Sequence, residues 1–212
     1  MPLYSKISSS HGWGGIWKVT ESYEDLYSML DDSNGLHLNN LGKISSKKRQ
    51  LEYIAVRVLL QYLIKGSTNI QYLSSGKPYL LNLKTNISIS HTDGYVAILL
   101  SDTHVPGIDI EKNSQRVLKL KSRIVGPNEC AQSSEEILLH WCAKETAFKI
   151  LDRKGVDFIN NFVVKNLYCS KVVKESSNDT FTLSYYFDED KKGDLTVFYS
   201  ACQDFILTYS FA

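Results

Sequence analysis

The chain has 212 residues, 43% hydrophobic and 22% charged, the composition of a globular protein with one large domain or two of about 100 residues each. Its formal net charge of +1 gives no overall field that would select polyanions, so a phosphate or an acidic partner has to be met by local patches. Met1 to Trp17 lacks the apolar core of a signal peptide and no stretch approaches the ~20 apolar residues of a membrane span, so a soluble cytoplasmic protein, with no membrane partner, is expected.

In chain order, Gly15 to Val19 reads as a strand and Tyr23 to Leu30 as a short helix, followed by a loop over Asp31 to Gly42, rich in Asn, Asp and Gly. Leu51, Ile54, Ala55, Val58, Leu59 and Tyr62 recur at spacings of three and four and predict a helix from about Ser46 to Lys65, ended by Gly66. Tyr79 to Leu83, Ile87 to Ser90 and Tyr95 to Ser101 read as strands, the last two joined by a turn at His91-Thr92-Asp93-Gly94. Pro106-Gly107 breaks the pattern and marks the expected boundary between a lobe over 1–105 and a second over 106–212.

The second half repeats the theme. An acidic strand leads to a basic helix around Gln115 to Val125 and a long helix from about Ser134 to Leu151, with Ser133 and Glu136 spaced as a capping box. Strands are expected at Phe158 to Val164, Phe181 to Phe187, Leu195 to Ala201 and Phe205 to Tyr209. The fold predicted is α+β, a pseudo-dimer of two similar lobes, each an antiparallel sheet packed with helices, with the active site in the cleft between them. Cys130, Cys142, Cys169 and Cys202 form no Cys-x-x-Cys pair and no regular spacing with His, so reduced thiols are expected and neither a zinc site nor a disulfide framework.

The chemistry is carried by two acidic segments, Gly107-Ile108-Asp109-Ile110-Glu111 and Trp141-Cys142-Ala143-Lys144-Glu145-Thr146-Ala147-Phe148-Lys149. Alternation sends Ile108 and Ile110 to one face of a strand and Asp109 and Glu111 to the other, which an ordinary half-exposed strand would also show. Glu145 shifts the balance, because its helix is apolar around nearly its whole circumference, and a buried carboxylate needs a charge partner or a metal. The plain partner is Lys149 at i+4; the functional reading gathers Asp109, Glu111 and Glu145 around a hard divalent cation. Lys47-Lys48-Arg49 at a helix start, with Arg57 two turns on, can hold a phosphate, although such clusters are often solvated faces. Gly76-Lys77-Pro78 reads as a turn, and Ser90-His91 ends a strand where side chains are displayed.

Taken in order, the basic helix start, Gly-Lys-Pro, Ile-Ser-His, Gly-Ile-Asp-Ile-Glu and Trp-Cys-Ala-Lys-Glu-Thr-Ala-Phe-Lys resemble the 4′-phosphopantetheinyl transferase superfamily, in its large two-lobed type that includes surfactin- and enterobactin-associated enzymes. The resemblance is densest from Lys77 to Lys149, and Cys142 stands where similar enzymes commonly have Ser or Thr. It implies a monomer that binds coenzyme A and Mg²⁺ between its lobes and moves the phosphopantetheine arm to a serine of an acyl or peptidyl carrier protein, releasing adenosine 3′,5′-bisphosphate. By motif position it implies Asp109, Glu111 and Glu145 as Mg²⁺ ligands. Lys48, Arg49, Lys77, Ser90 and His91 would contact the phosphates and adenosine, and Lys149 the pyrophosphate. Glu145, or water beside it, would be the general base, with Glu145 and Lys149 forming the catalytic pair. Carrier proteins of this kind are acidic, so the basic run Lys112, Arg116, Lys119, Lys121 and Arg123 is the expected docking surface. A Mg²⁺-dependent nuclease could use the same carboxylates, but the neutral balance argues against a nucleic-acid partner; a non-catalytic nucleotide- or carrier-binding module is the other alternative.

Overall fold

The computed structural model describes residues 3–31, 35–64, 69–167, 179–188 and 191–212. The chain opens with strands β1 (Leu3–Ser8) and β2 (Trp13–Lys18), then helices α1 (Tyr23–Ser28), α2 (Leu36–Leu41) and α3 (Lys47–Leu63). A short hairpin, β3 (Ile70–Tyr72) and β4 (Pro78–Leu80), precedes β5 (Asn86–Thr92), β6 (Tyr95–Ser101) and β7 (Pro106–Lys112). A 3₁₀ turn at Gln115–Leu120 leads through α4 (Lys121–Ile124) to α5 (Ser134–Leu151), and the chain ends in β8 (Phe162–Lys165), β9 (Asp179–Asp188), β10 (Lys191–Ala201) and β11 (Phe205–Phe211). The class is α+β: an antiparallel sheet in the order β1-β2-β6-β5 and another in the order β7-β11-β10-β9-β8.

Local chemistry explains the principal elements. Ser46 caps α3 by accepting the Arg49 N–H, and Ile54, Ala55, Leu59 and Leu60 on that helix pack with Trp17, Ile87, Val96, Ile98 and Leu100. Every residue of β6 is buried because its other face carries Tyr95, Ala97 and Leu99 against Ile108, Ile110, Phe205 and Leu207 of the second sheet. Each such Leu or Ile contributes about 1.5–3 kcal/mol through burial. Helix α5 begins at the expected capping box, Ser133 with Glu136, and ends where Asp152 turns left-handed at φ 46°. Within α5 the fully buried Lys144 donates to the Ile124 carbonyl at 2.7 Å and to Glu129 Oε2 at 2.6 Å, and Glu129 accepts from the Gly126 and Val164 amides. These bonds satisfy both charges and tie α5 to the loop before it and to β8.

The structure departs from the sequence reading at identifiable points. Within the expected loop, Leu36–Leu41 forms α2, because Leu41 is buried in the core under α3 and Gln50 Nε2 takes up the free carbonyls of Leu41 and Ile44. Pro106 and Gly107 do not break the pattern; they open β7, paired with Phe211 and Ser210. The chain passes from one sheet to the other between Ser101 and Pro106. The turn expected over four residues contains only Asp93 and Gly94, the latter at φ 81°, while His91 and Thr92 belong to β5. The strand expected at Tyr79 to Leu83 stops at Leu80, and Asn82, at φ 65°, bends the chain. The basic helix is a 3₁₀ turn plus the short α4, Phe158 precedes β8 instead of joining it, and β1 and β3 were not expected. Gly66 lies outside the described residues, as does Cys169; Cys142 and Cys202 are free thiols.

Candidate functional site

The acidic strand is set against α5 by a glycine. A Cβ on Gly107 would lie 2.5 Å from the Thr146 carbonyl oxygen and 2.6 Å from Ile150 Cγ1, so only a bare backbone allows β7 to approach the helix this closely. With Ile108 and Ile110 committed to the core between the sheets, Asp109 and Glu111 turn toward α5. Asp109 is 4% exposed. Its Oδ1 accepts from Ser90 Oγ at 2.8 Å and from Lys149 Nζ at 2.8 Å, and Lys149 also donates to the Ile108 carbonyl at 2.8 Å. Asp109 Oδ2 is buried and has no hydrogen-bond partner among the described residues. Glu111 accepts from the Trp141 indole N–H at 3.3 Å and from Thr92 Oγ1 at 3.4 Å.

Lys149, the plain partner of Glu145, is thus spent on Asp109, and among the described residues Glu145 forms no ion pair. Burial first, then the negative charge of Asp109, lifts the Glu145 carboxyl from 4.5 to about 7, with Lys149 opposing the rise. Burial and Asp109 likewise push Glu111 upward. The three carboxylates therefore sense one another, although among the described residues no three His, Cys, Asp or Glu side chains make a ready ligand group. Like charges repel, and Lys149 already neutralises one oxygen of the strand pair. The donor chemistry fits a hard divalent cation: the ligands on offer are carboxylate oxygens, and one of them is buried with no hydrogen-bond partner among the described residues.

One cavity adjoins this cluster and shares Tyr72, Ile89 and His91 in its wall with a second cavity. The smaller, about 310 Å³, is lined by Lys77, His91, Glu145, Phe148 and Lys149 among others, so it joins the β3–β4 hairpin to α5. Lys77 Nζ reaches the Ile150 carbonyl at 3.3 Å, and Ser75 Oγ donates to Asp152 Oδ2 at 3.1 Å. The larger, about 560 Å³, takes in Lys43, Arg49, Tyr53 and Arg57 at the start of α3. His91 Nδ1 stands 3.5 Å from Glu52 Oε2.

Of the expected site residues, the structure brings together Asp109, Glu111, Glu145 and Lys149, and adds Lys77 and His91 in the smaller cavity and Arg49 in the larger. It does not bring Lys48 or Ser90 to the wall of either of these cavities: Lys48 pairs with Asp93 at 2.9 Å on an exposed corner, and the buried Ser90 is engaged by Asp109 and the Ile110 amide. Two contributors, Trp141 and Thr92, had no assigned role, and a third, Arg57, was expected only as a cation two turns beyond Lys47-Lys48-Arg49. Trp141 holds Glu111, Thr92 does the same from β5, and Arg57 is a buried cation, 4% exposed, in the larger cavity. The Arg57 guanidinium lies 3.2 Å above the Tyr53 ring and donates to the Tyr53 carbonyl at 3.0 Å, while its Nε has no hydrogen-bond partner among the described residues. Burial lowers its pKa, and no carboxylate pairs with it among the described residues, so it is suited to an incoming anion. The signal for it was present: an arginine amid the apolar stripe of α3.

Arg116, Lys119, Lys121 and Arg123 are all exposed beside Leu118 and Leu120, on a segment anchored by buried Val117 and Ile124. Among the described residues no helix is long and apolar enough to cross a membrane. The sequence matches no protein-family model and no curated protein.

Proposed function

We propose that the protein is a 4′-phosphopantetheinyl transferase that moves the phosphopantetheine arm of coenzyme A to a serine hydroxyl of an apo acyl or peptidyl carrier protein and releases adenosine 3′,5′-bisphosphate. The observation that carries this reading is the placement of Glu145 and Lys149 in the wall of a cavity they share with Lys77 and His91, with Asp109 and Glu111 behind them. Cations suited to phosphate stand beside carboxylates whose oxygens suit a divalent metal, the two kinds of group on which cleavage of a pyrophosphate draws. In this reading α3 with the first sheet and α5 with the second are the cores of two similar lobes, and the cavity is the cleft between them.

Asp109, Glu111 and Glu145 would hold Mg²⁺, which supplies charge neutralisation at the pyrophosphate of coenzyme A. Lys77, His91, Arg49 and Arg57 bind the phosphates and adenosine; Lys48, turned to Asp93, is left at the margin. Glu145, or water beside it, takes the proton of the carrier serine as its oxygen bonds to the β-phosphorus. The bond from that phosphorus to the bridging oxygen breaks, and Lys149 stabilises the charge that builds on the departing bisphosphate. Nothing in this scheme requires a membrane or a second copy of the chain.

The test is to incubate the protein with coenzyme A, Mg²⁺ and apo carrier proteins of several biosynthetic classes and weigh the carriers. A gain of one phosphopantetheine, absent without Mg²⁺, is expected. No gain on any carrier would refute the proposal, and cleavage of nucleic acid by the same preparation would replace it with a nuclease.

A further inference from the structure

Three hydroxyls of β5 face β7 at every second residue. Ser88 Oγ accepts the Ile108 N–H at 3.1 Å, Ser90 Oγ that of Ile110 at 3.3 Å and Thr92 Oγ1 that of Lys112 at 3.1 Å. The two sheets are thus joined side chain to backbone along this seam. A hydroxyl has one proton and two lone pairs, so the proton of each remains to be placed. Ser90 gives its proton to Asp109 Oδ1 at 2.8 Å, and Thr92 gives its proton to Glu111 Oε2 at 3.4 Å. Ser88 makes the seam bond without contacting either carboxylate.

We infer that Ser90 and Thr92 are positioning residues that fix the carboxylates of Asp109 and Glu111 for a divalent cation, and that Ser90 therefore supports the acidic pair instead of contacting phosphate. The inference rests on the proposed function only in taking that pair as a cation site. Asp109 could present either oxygen by rotating its carboxyl group. Ser90 and Lys149 both hold Oδ1, which leaves Oδ2 buried, unpartnered and oriented. Glu111 is pinned on both oxygens, by Trp141 and by Thr92, and each oxygen retains lone-pair capacity for a metal. Partners of this kind, one bond behind the ligand, set its orientation and basicity, and their removal typically costs about 10–100-fold in metal affinity.

The seam supplies its own control. Ser88→Ala removes one hydroxyl-to-amide bond and no carboxylate contact; Ser90→Ala removes both; Thr92→Val and Thr92→Ser test the second carboxylate with and without a hydroxyl. Mn²⁺ binding to the full chain is followed by the electron paramagnetic resonance of free Mn²⁺, with thermal melts of each variant alongside. Ser90→Ala is expected to weaken Mn²⁺ binding about 10–100-fold. Thr92→Val should weaken it less, in keeping with the longer contact, and Thr92→Ser should restore it. Ser88→Ala should lower the melting temperature yet leave Mn²⁺ affinity unaltered. Unaltered affinity in Ser90→Ala, or an equal loss in Ser88→Ala, overturns the inference, as does a parent chain that binds no Mn²⁺. A parent chain that binds Mn²⁺ but transfers no phosphopantetheine overturns the function and leaves the positioning role standing.

Discussion

At the scale of single residues, Glu145 carries the sharpest consequence. Burial and the charge of Asp109 raise its pKa from 4.5 to about 7, so the fold holds a proton that the unfolded chain releases. A raised carboxylate pKa contributes stability that is fully present below the unfolded value and is lost as pH rises through the folded one. Glu145→Gln, which cannot ionise, should therefore match the parent in melting temperature near pH 4 and exceed it at pH 8. The gain is on the order of 2–3 kcal/mol in unfolding free energy, reduced by the residual solvent access of the side chain. The same variant should lose phosphopantetheine transfer. Melts at the two pH values check the first outcome; a parent and variant that melt alike at pH 8 would show that the carboxylate is not strained. Much of this cluster was legible, because the alternation in Ile108-Asp109-Ile110-Glu111 and a carboxylate in an apolar helix are both local patterns. The role of Ser90 was not. Its partner Asp109 lies on another strand, and nothing in Ile-Ser-His says that the hydroxyl turns toward β7 and away from the cavities.

At the scale of elements, the site depends on how closely β7 lies against α5. Gly107→Ala would place a methyl group 2.5 Å from the Thr146 carbonyl oxygen, a backbone atom of a helix that cannot move alone. The strand must then shift, carrying Asp109 away from Lys149. Overpacking of this kind costs about 1–3 kcal/mol, and a displacement of even part of an ångström at a phosphoryl-transfer site lowers the rate strongly. The expected result is a lower denaturant midpoint together with a drop in transfer rate of about 100-fold; a variant with parental stability and activity would show that the close approach is dispensable. Periodicity found α3 and α5 because each has a long buried stripe and a serine cap. It missed α2, whose six residues are too few to display a period, and it took Pro106-Gly107 for a break, because the composition of a turn is also that of a strand start pressed against a helix.

At the scale of the whole molecule, two antiparallel sheets with helices followed from the order of strand and helix signals, but their mutual arrangement did not. It depends on Ala97, Leu99, Ile108, Ile110, Phe205 and Leu207 meeting across the sheets, contacts between residues far apart in the chain. The charge distribution is likewise a property of the whole. With a net charge of +1, an acidic carrier is drawn to a local patch or not at all. Arg116, Lys119, Lys121 and Arg123 project from the segment between β7 and α5 and make no ion pair among the described residues. Leu118 at 43% and Leu120 at 42% exposure stand among them, so the surface offers charge to steer a partner and apolar contact to hold it. Because β7 and α5 also carry the acidic cluster, a carrier held here would bring its serine toward Glu145. Reversing Arg116 and Lys119 to Glu should raise KM for the carrier about tenfold, and the effect should shrink as salt shortens the screening length from about 10 Å at 0.1 M toward 3 Å at 1 M. KM for coenzyme A should stay at its parental value, since neither side chain lines the cavities. If carrier KM is the same in parent and variant at low salt, docking takes place on another face; if both KM values rise together, the reversal has disturbed the fold and not a docking surface.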